Sequence, residues 1–179
     1  ITTLNSDGSH NLAPFSYFNM VSSSVLAVSL MRRETEGLPR QKDTAVNLLR
    51  EGEAVVHIAG EELIRQLDLS SAEYPPNVSE VSKTGLSLVP SSVVETKGIA
   101  EAKVRMEVRL LRHLELETFE PGDIETDLML LRIVAMHVDD SIFDETKGYV
   151  LHDELNPLSR LGGPYFATIN IIEGFERQF

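Results

Sequence analysis

Apolar and charged residues alternate without exception over Lys103-Val104-Arg105-Met106-Glu107-Val108-Arg109-Leu110. A period of two predicts an antiparallel strand with one face on the core and the other in water. Leu111-Arg112 breaks the alternation, which predicts a bulge, and Leu114 and Leu116 resume it. Pro121-Gly122-Asp123 reads as a turn, and Leu128 to Val138 as the return strand. Near the start, Ile1 to Leu4 and Leu12 to Phe18 flank Asn5-Ser6-Asp7-Gly8-Ser9, which predicts a hairpin. Val21 to Met31 reads as one mostly buried strand. Arg32 to Gln41, with Gly37 and Pro39, reads as a loop.

Helical patterns are short. Asp43 or Thr44 can cap a helix running to about Arg50, with Gly52 just past its end. Val46 and Leu49 are expected to face the core, with Leu48 alongside. Glu53 to Ala59 reads as a strand. Glu61 to Leu69 has helical spacing at Leu63, Ile64 and Leu67, and Asn77 can cap a further helix ending at Gly85. At least six strands without a βαβ rhythm predict a mainly β fold, an antiparallel barrel or sandwich with a few short helices. No linker or repeat interrupts residues 1–179, so one domain is expected. The 103–110 strand is expected to pair across a dimer, covering the edge of an open barrel.

Composition narrows the partners. Sixteen Lys and Arg against 28 Asp and Glu give a net charge of −12, which repels a phosphate backbone and disfavours nucleic acid. Arg32, Arg33, Arg40 and Lys42 nevertheless crowd into residues 32–42, an arrangement suited to a small anion. There is no Cys, hence no disulfide, thiolate metal site or cysteine nucleophile, as fits a reducing, cytoplasmic setting. The longest apolar runs fall far short of a membrane span. No signal peptide is visible, and because Ile1 already lies within a strand-like run, the chain is expected to have lost or omitted a preceding stretch. The five histidines show no HxH or HExxH spacing, so no metal site is expected. Neither GxGxxG nor a Walker A sequence is present, and Ser22-Ser23-Ser24 lacks the setting of a hydrolase nucleophile.

Two segments offer binding chemistry. A helix beginning near Asp43 presents unpaired N–H groups to an anion, with Lys42 just before it and Thr44 adding a hydroxyl. Asp43 is expected to turn its oxygens to the helix cap. In Asn11-Leu12-Ala13-Pro14-Phe15-Ser16-Tyr17, Pro14 cannot donate to a ladder, so free backbone groups are expected there. Such groups suit the pyrimidine edge of an isoalloxazine, with Ser16 as a hydrogen-bonding side chain and Phe15 or Tyr17 packing on the ring. A proline-kinked edge strand with core aromatics explains the same residues.

The run Asn11 to Ser22, then Ser29, Lys42-Asp43-Thr44 with Asn47, Gly52-Glu53-Ala54-Val55-Val56 and Ser159-Arg160-Leu161-Gly162-Gly163-Pro164-Tyr165 resemble, in this order, the flavin reductase-like (flavoredoxin-type) family. The resemblance covers nearly the whole chain. It implies an FMN-binding split β-barrel, antiparallel and Greek-key-like, that forms a homodimer. It also implies that Asn11, Ala13, Pro14, Phe15 and Ser16 line the isoalloxazine. Ser29, Arg32, Lys42, Asp43 and Thr44 are its candidates for the phosphate and ribityl end. Arg160, Gly162, Gly163 and Tyr165 are implied to lie near the flavin, across the subunit interface in one arrangement. Family members carry a further N-terminal stretch with Arg-Pro, and often a Pro-Pro pair where Ser22-Ser23-Ser24-Val25 stands here. The activity implied is that of an NADH- or NADPH-dependent oxidoreductase in which the flavin does the chemistry and no side chain is catalytic. A non-enzymatic flavin carrier and a cofactor-free interaction barrel are the alternatives left open.

Overall fold

A computed structural model describes residues 1–35, 37–75, 78–172 and 174. The strands are β1 (Thr2–Leu4), β2 (His10–Leu12), β3 (Phe18–Ser22), β4 (Val25–Met31), β5 (Arg33–Thr35), β6 (Leu38–Arg40), β7 (Glu53–Ile58), β8 (Leu88–Val89), β9 (Gly98–Ile99), β10 (Val104–Glu117) and β11 (Ile124–Val138). Short pairs β12 (Phe143–Asp144) with β13 (Tyr149–Val150), and β14 (Ser159–Arg160) with β15 (Phe166–Ala167), follow. The helices are α1 (Asp43–Glu51), α2 (Ile64–Ser70), α3 (Val81–Thr84) and α4 (His152–Leu155). None of the described helices is long and apolar enough to cross a membrane. The fold is mostly β, antiparallel and poor in helix, as the period-two patterns predict.

Seven strands form one sheet in the order β2-β1-β7-β10-β11-β4-β3. Its inner face carries Leu26, Val28 and Leu30 of β4, Val56 of β7, Met106 and Val108 of β10, and Met129 and Leu131 of β11. These positions recur every second residue because a strand sends successive side chains to opposite faces. Helix α1 closes this core with Ala45 and Leu48, both fully buried. The predicted phase of α1 is therefore wrong: Val46 and Leu49 remain 43% and 39% exposed. Gly52 ends the helix in the left-handed region at φ 73°, donating to the carbonyl of Leu48.

Several other expectations change. The stretch Val21 to Met31 is two strands, split by a turn at Ser23-Ser24, and β3 is exposed along its whole length. Polar turn residues outweigh the apolar run there. The Arg32 to Gln41 loop contains the hairpin β5–β6 with Gly37 at φ 76° in its turn, while Glu36 lies outside the described residues. Helix α3 does end at Gly85, but Asn77 lies outside the described residues.

Strand β10 cannot serve as a dimer-pairing edge over Val104–Arg109, because β7 bonds it on one side and β11 on the other. The bulge expected at Leu111 is present as a register shift between Leu110 and Arg112. Glu107 departs from the alternation, being fully buried on the face expected to meet water. The loop that follows β8 folds over this face, and its backbone amides at Ser92, Val93 and Val94 donate to the Glu107 carboxylate at 2.6, 2.7 and 3.1 Å. His137 of β11 adds a contact at 2.5 Å. Burial alone would raise the Glu107 carboxyl; the Ser92 amide, His137 and the remaining donors outweigh it and lower the carboxyl to about 2.

Candidate functional site

Strand β2 stands at one end of the sheet, and its outer edge is sealed by side chains. The Ser79 hydroxyl donates to the His10 carbonyl, and the Glu80 carboxylate accepts from the Leu12 amide at 2.9 Å. The Ala13 amide still donates to the Ile1 carbonyl at 3.1 Å. Pro14 has no N–H to continue, and residues 13–17 leave the sheet until β3 begins. The interruption faces the start of α1. Lys42 is the N-cap and makes no side-chain cap bond, so the expected capping by Asp43 or Thr44 does not occur. The Lys42 carbonyl accepts from the amides of Ala45 and Val46 at 2.9 and 3.1 Å. The earlier amides of Asp43 and Thr44 have no intrahelical acceptor, as at any helix start.

Between these two segments lies a groove of about 770 Å³. Asn11, Ala13, Pro14 and Phe15 form one wall, and Lys42, Asp43 and Thr44 form the other. The Lys42 Nζ sits 5.2 Å from the centroid of the Phe15 ring, joining the two walls. Burial, and then the charge of Arg33, lower the Lys42 pKa. An anion in the groove reverses that penalty. Thr44 Oγ1 accepts from Asn11 Nδ2 at 2.9 Å.

A second cavity of about 500 Å³ shares Pro14 and Phe15 with the first and adds Ser16, Phe18, Arg160 and Phe166. The Arg160 guanidinium lies 4.8 Å from the Phe166 ring centroid and donates to the Gly163 carbonyl at 2.5 Å. Gly162, Gly163 and Tyr165 make the exposed turn between β14 and β15, with Gly163 at φ 64° and the Leu161 amide donating to the Tyr165 carbonyl. Thus the chain itself carries Arg160 to the same proline-kinked segment that lines the groove.

Gly162, Gly163 and Tyr165 line neither cavity, and Ser29 and Arg32 lie elsewhere. Ser29 is half-buried on β4, with its amide bonded to the Tyr17 carbonyl at 2.8 Å, and does not line the groove. Arg32 turns to the opposite side of the β5–β6 hairpin. Its Nε and Nη2 engage the buried Asp127 carboxylate at 3.0 and 2.9 Å, and Nη2 also meets Glu115 at 2.5 Å. Gln41 and His113 complete the Asp127 shell at 2.8 Å each. Burial would raise the Asp127 carboxyl, but these partners bring it below its ordinary value. His113, Glu115 and Asp127 converge within 4.8 Å, and the Arg32 guanidinium occupies that convergence. The groove instead receives Arg33, the next residue along, and its β6 register partner Arg40, and Arg33 pairs with Glu73 at 2.9 Å. Ser70 to Tyr74 and Glu80 also line it without having been singled out from the sequence. Ser70-Ser71 at the end of α2 was the visible signal.

An interrupted edge strand thus faces a helix start with Lys42 at its N-cap on an antiparallel β scaffold. Residues 1–158 match the flavin reductase like domain. The chain belongs to the flavin reductase-like family, and its fold is a split β-barrel. It is 43% identical to YwrF of Bacillus subtilis (strain 168), over 94% of this chain and 81% of that protein. Among solved structures, nitrilotriacetate monooxygenase component B from Bacillus cereus superposes with a TM-score of 0.88 at 33% identity, covering 98% of this chain and 84% of that one. Flavoredoxin of Desulfovibrio vulgaris (Miyazaki F) shares the fold, with a TM-score of 0.79 at 16% identity and coverage of 97% and 86%.

Proposed function

We propose that residues 1–179 form one FMN-binding domain of an oxidoreductase that accepts electrons from NADH or NADPH and passes them to an acceptor. The observation that carries this reading is the groove, in which a proline-interrupted strand faces a helix start bearing Lys42 and Thr44. Its donor set fits the cofactor. Lys42, the Thr44 hydroxyl and the amides of Asp43 and Thr44 are complementary to a terminal phosphate. The backbone groups of Pro14, Phe15 and Ser16, which lie between the bonded Ala13 and Tyr17, and the Phe15 ring are complementary to a flat heteroaromatic ring. Arg40 brings a further positive charge to the groove, while Arg33 is paired with Glu73 there and Glu34, Asp43 and Glu80 also line it.

When bound, the flavin supplies hydride acceptance at N5 and electron release to a second reactant. The protein contributes position and electrostatics. Lys42 and the α1 amides anchor the anionic end, Glu80 and Ser79 hold the β2 edge, and Pro14 and Phe15 separate the groove from the second cavity. That second cavity, with Arg160 at its border, is where a nicotinamide or an electron acceptor meets the flavin. We place the protein in the cytoplasm as a homodimer, with Arg160, Gly162, Gly163 and Tyr165 near the flavin.

The decisive experiment is the visible absorbance spectrum after FMN addition and gel filtration, followed by NADH or NADPH oxidation. A retained flavin spectrum with pyridine-nucleotide turnover is expected. A colourless protein refutes the cofactor assignment, and retained FMN without turnover leaves a carrier.

A further inference from the structure

We infer that Asn11 is a positioning residue that acts on the cofactor's phosphate through Thr44, and that it does not itself hold the flavin ring. The inference rests on the reading of the groove as an FMN site. Asn11 is only 4% exposed although it lines the groove. Its Nδ2 donates to Thr44 Oγ1 at 2.9 Å and to Thr3 Oγ1 at 3.3 Å, which uses both amide hydrogens inside the protein. The neighbouring Asn47 amide is oriented by a group that can only donate. The Arg50 Nη2 donates to Asn47 Oδ1 at 3.0 Å, which directs Asn47 Nδ2 to Thr3 Oγ1 at 3.0 Å and to Asn5 Oδ1 at 2.8 Å. Strand β1, strand β2 and helix α1 are thereby locked together behind the groove wall.

A threonine hydroxyl has one hydrogen to give. At Thr44 the oxygen already accepts from Asn11, and among the described residues no protein acceptor takes the Thr44 hydrogen. The side chain is 1% exposed and lines the groove beside the first amides of α1. A buried donor without an acceptor costs free energy unless a ligand supplies one. Asn11 thus keeps Thr44 as a donor at the place where the helix also offers donors. The same side chain belongs to the strand that leads into Ala13 and Pro14, so it ties the phosphate end of the groove to the ring end.

The test compares affinities for FMN and riboflavin, which differ only by the phosphate, using quenching of flavin fluorescence by the full chain. The variants are Thr44→Val, Asn11→Ala, the double variant and Thr44→Ser. Thr44→Val and Asn11→Ala are each expected to weaken FMN about tenfold while moving riboflavin less than about twofold, since a charge-assisted hydrogen bond is lost. The double variant is expected to be no weaker than the weaker single one, because Asn11 acts only through the Thr44 hydroxyl that the double variant lacks. Thr44→Ser, which keeps the hydroxyl, is expected to retain wild-type discrimination. Unchanged FMN binding by Thr44→Val overturns the inference whether or not Asn11→Ala folds. Equal weakening of FMN and riboflavin by Asn11→Ala, or additive losses in the double variant, also overturns it while leaving the FMN site intact. Wild-type protein that binds both flavins equally, or neither, removes the phosphate reading and the inference with it.

Discussion

Glu107→Gln tests the least expected feature of the fold at nearly constant shape. The carboxylate is fully buried and receives the amides of Ser92, Val93 and Val94, the Ser92 hydroxyl at 2.9 Å and His137. Oε1 and Oε2 each accept at least two donors. A glutamine amide therefore turns its own N–H groups toward donors in either orientation. Lowering the carboxyl from its ordinary 4.5 to about 2 corresponds to about 3 kcal/mol of stability at neutral pH. For a chain of this size that loss lowers the melting temperature by about 6–12 °C. Because the folded pKa is depressed, the stabilisation is complete above the unfolded value of 4.5 and disappears as pH falls through about 2. Thermal and urea unfolding followed by far-UV circular dichroism at pH 7, 4.5 and 3 should show the gap between wild type and variant narrowing with acid. A variant within about 0.5 kcal/mol of wild type at pH 7, or a gap indifferent to pH, would refute the reasoning.

Four further outcomes are expected. Lys42→Ala should weaken FMN about tenfold or more and riboflavin little, and equal losses in a fluorescence titration would remove Lys42 from the phosphate end. Arg32→Ala should cost about 3–5 kcal/mol by leaving the Asp127 carboxylate buried without its main partner, whereas its FMN-to-riboflavin preference should stay at the wild-type value. Leu48→Ala should cost about 2–5 kcal/mol and Leu49→Ala under about 1, a contrast in urea unfolding that checks which face of α1 is buried. Static light scattering at micromolar protein should give twice the chain mass. A monomer that still retains FMN would exclude a partner subunit from the flavin contacts of Arg160.

Local rules were readable wherever one physical effect dominated. The period-two run of β10, the Asn5–Ser9 turn, the Gly52 helix end and the interruption at Pro14 all follow from backbone geometry within a few residues. The family motifs also marked both the groove wall at Asn11–Phe15 and the helix start at Lys42–Thr44. Of the residues missed, Glu80 comes from a segment with no period or motif to distinguish it, whereas Ser70 is marked only by the Ser70-Ser71 pair at the end of α2.

From the sequence alone came the strand-rich architecture, the positions where backbone hydrogen bonding fails, and the basic residues available for an anion. These depend on side-chain period, on proline lacking an N–H, and on charge. Tertiary structure alone decided which arginine faces which side. Arg32 is consumed by Asp127, 95 residues away, while Arg33 and Arg40 reach the groove. It also decided that Glu107 lies under a loop of backbone amides and that Asn11 points to Thr44 instead of outward. Long-range contacts make these choices, because a side chain is committed by the donors and acceptors that folding brings to it, and no local pattern names them.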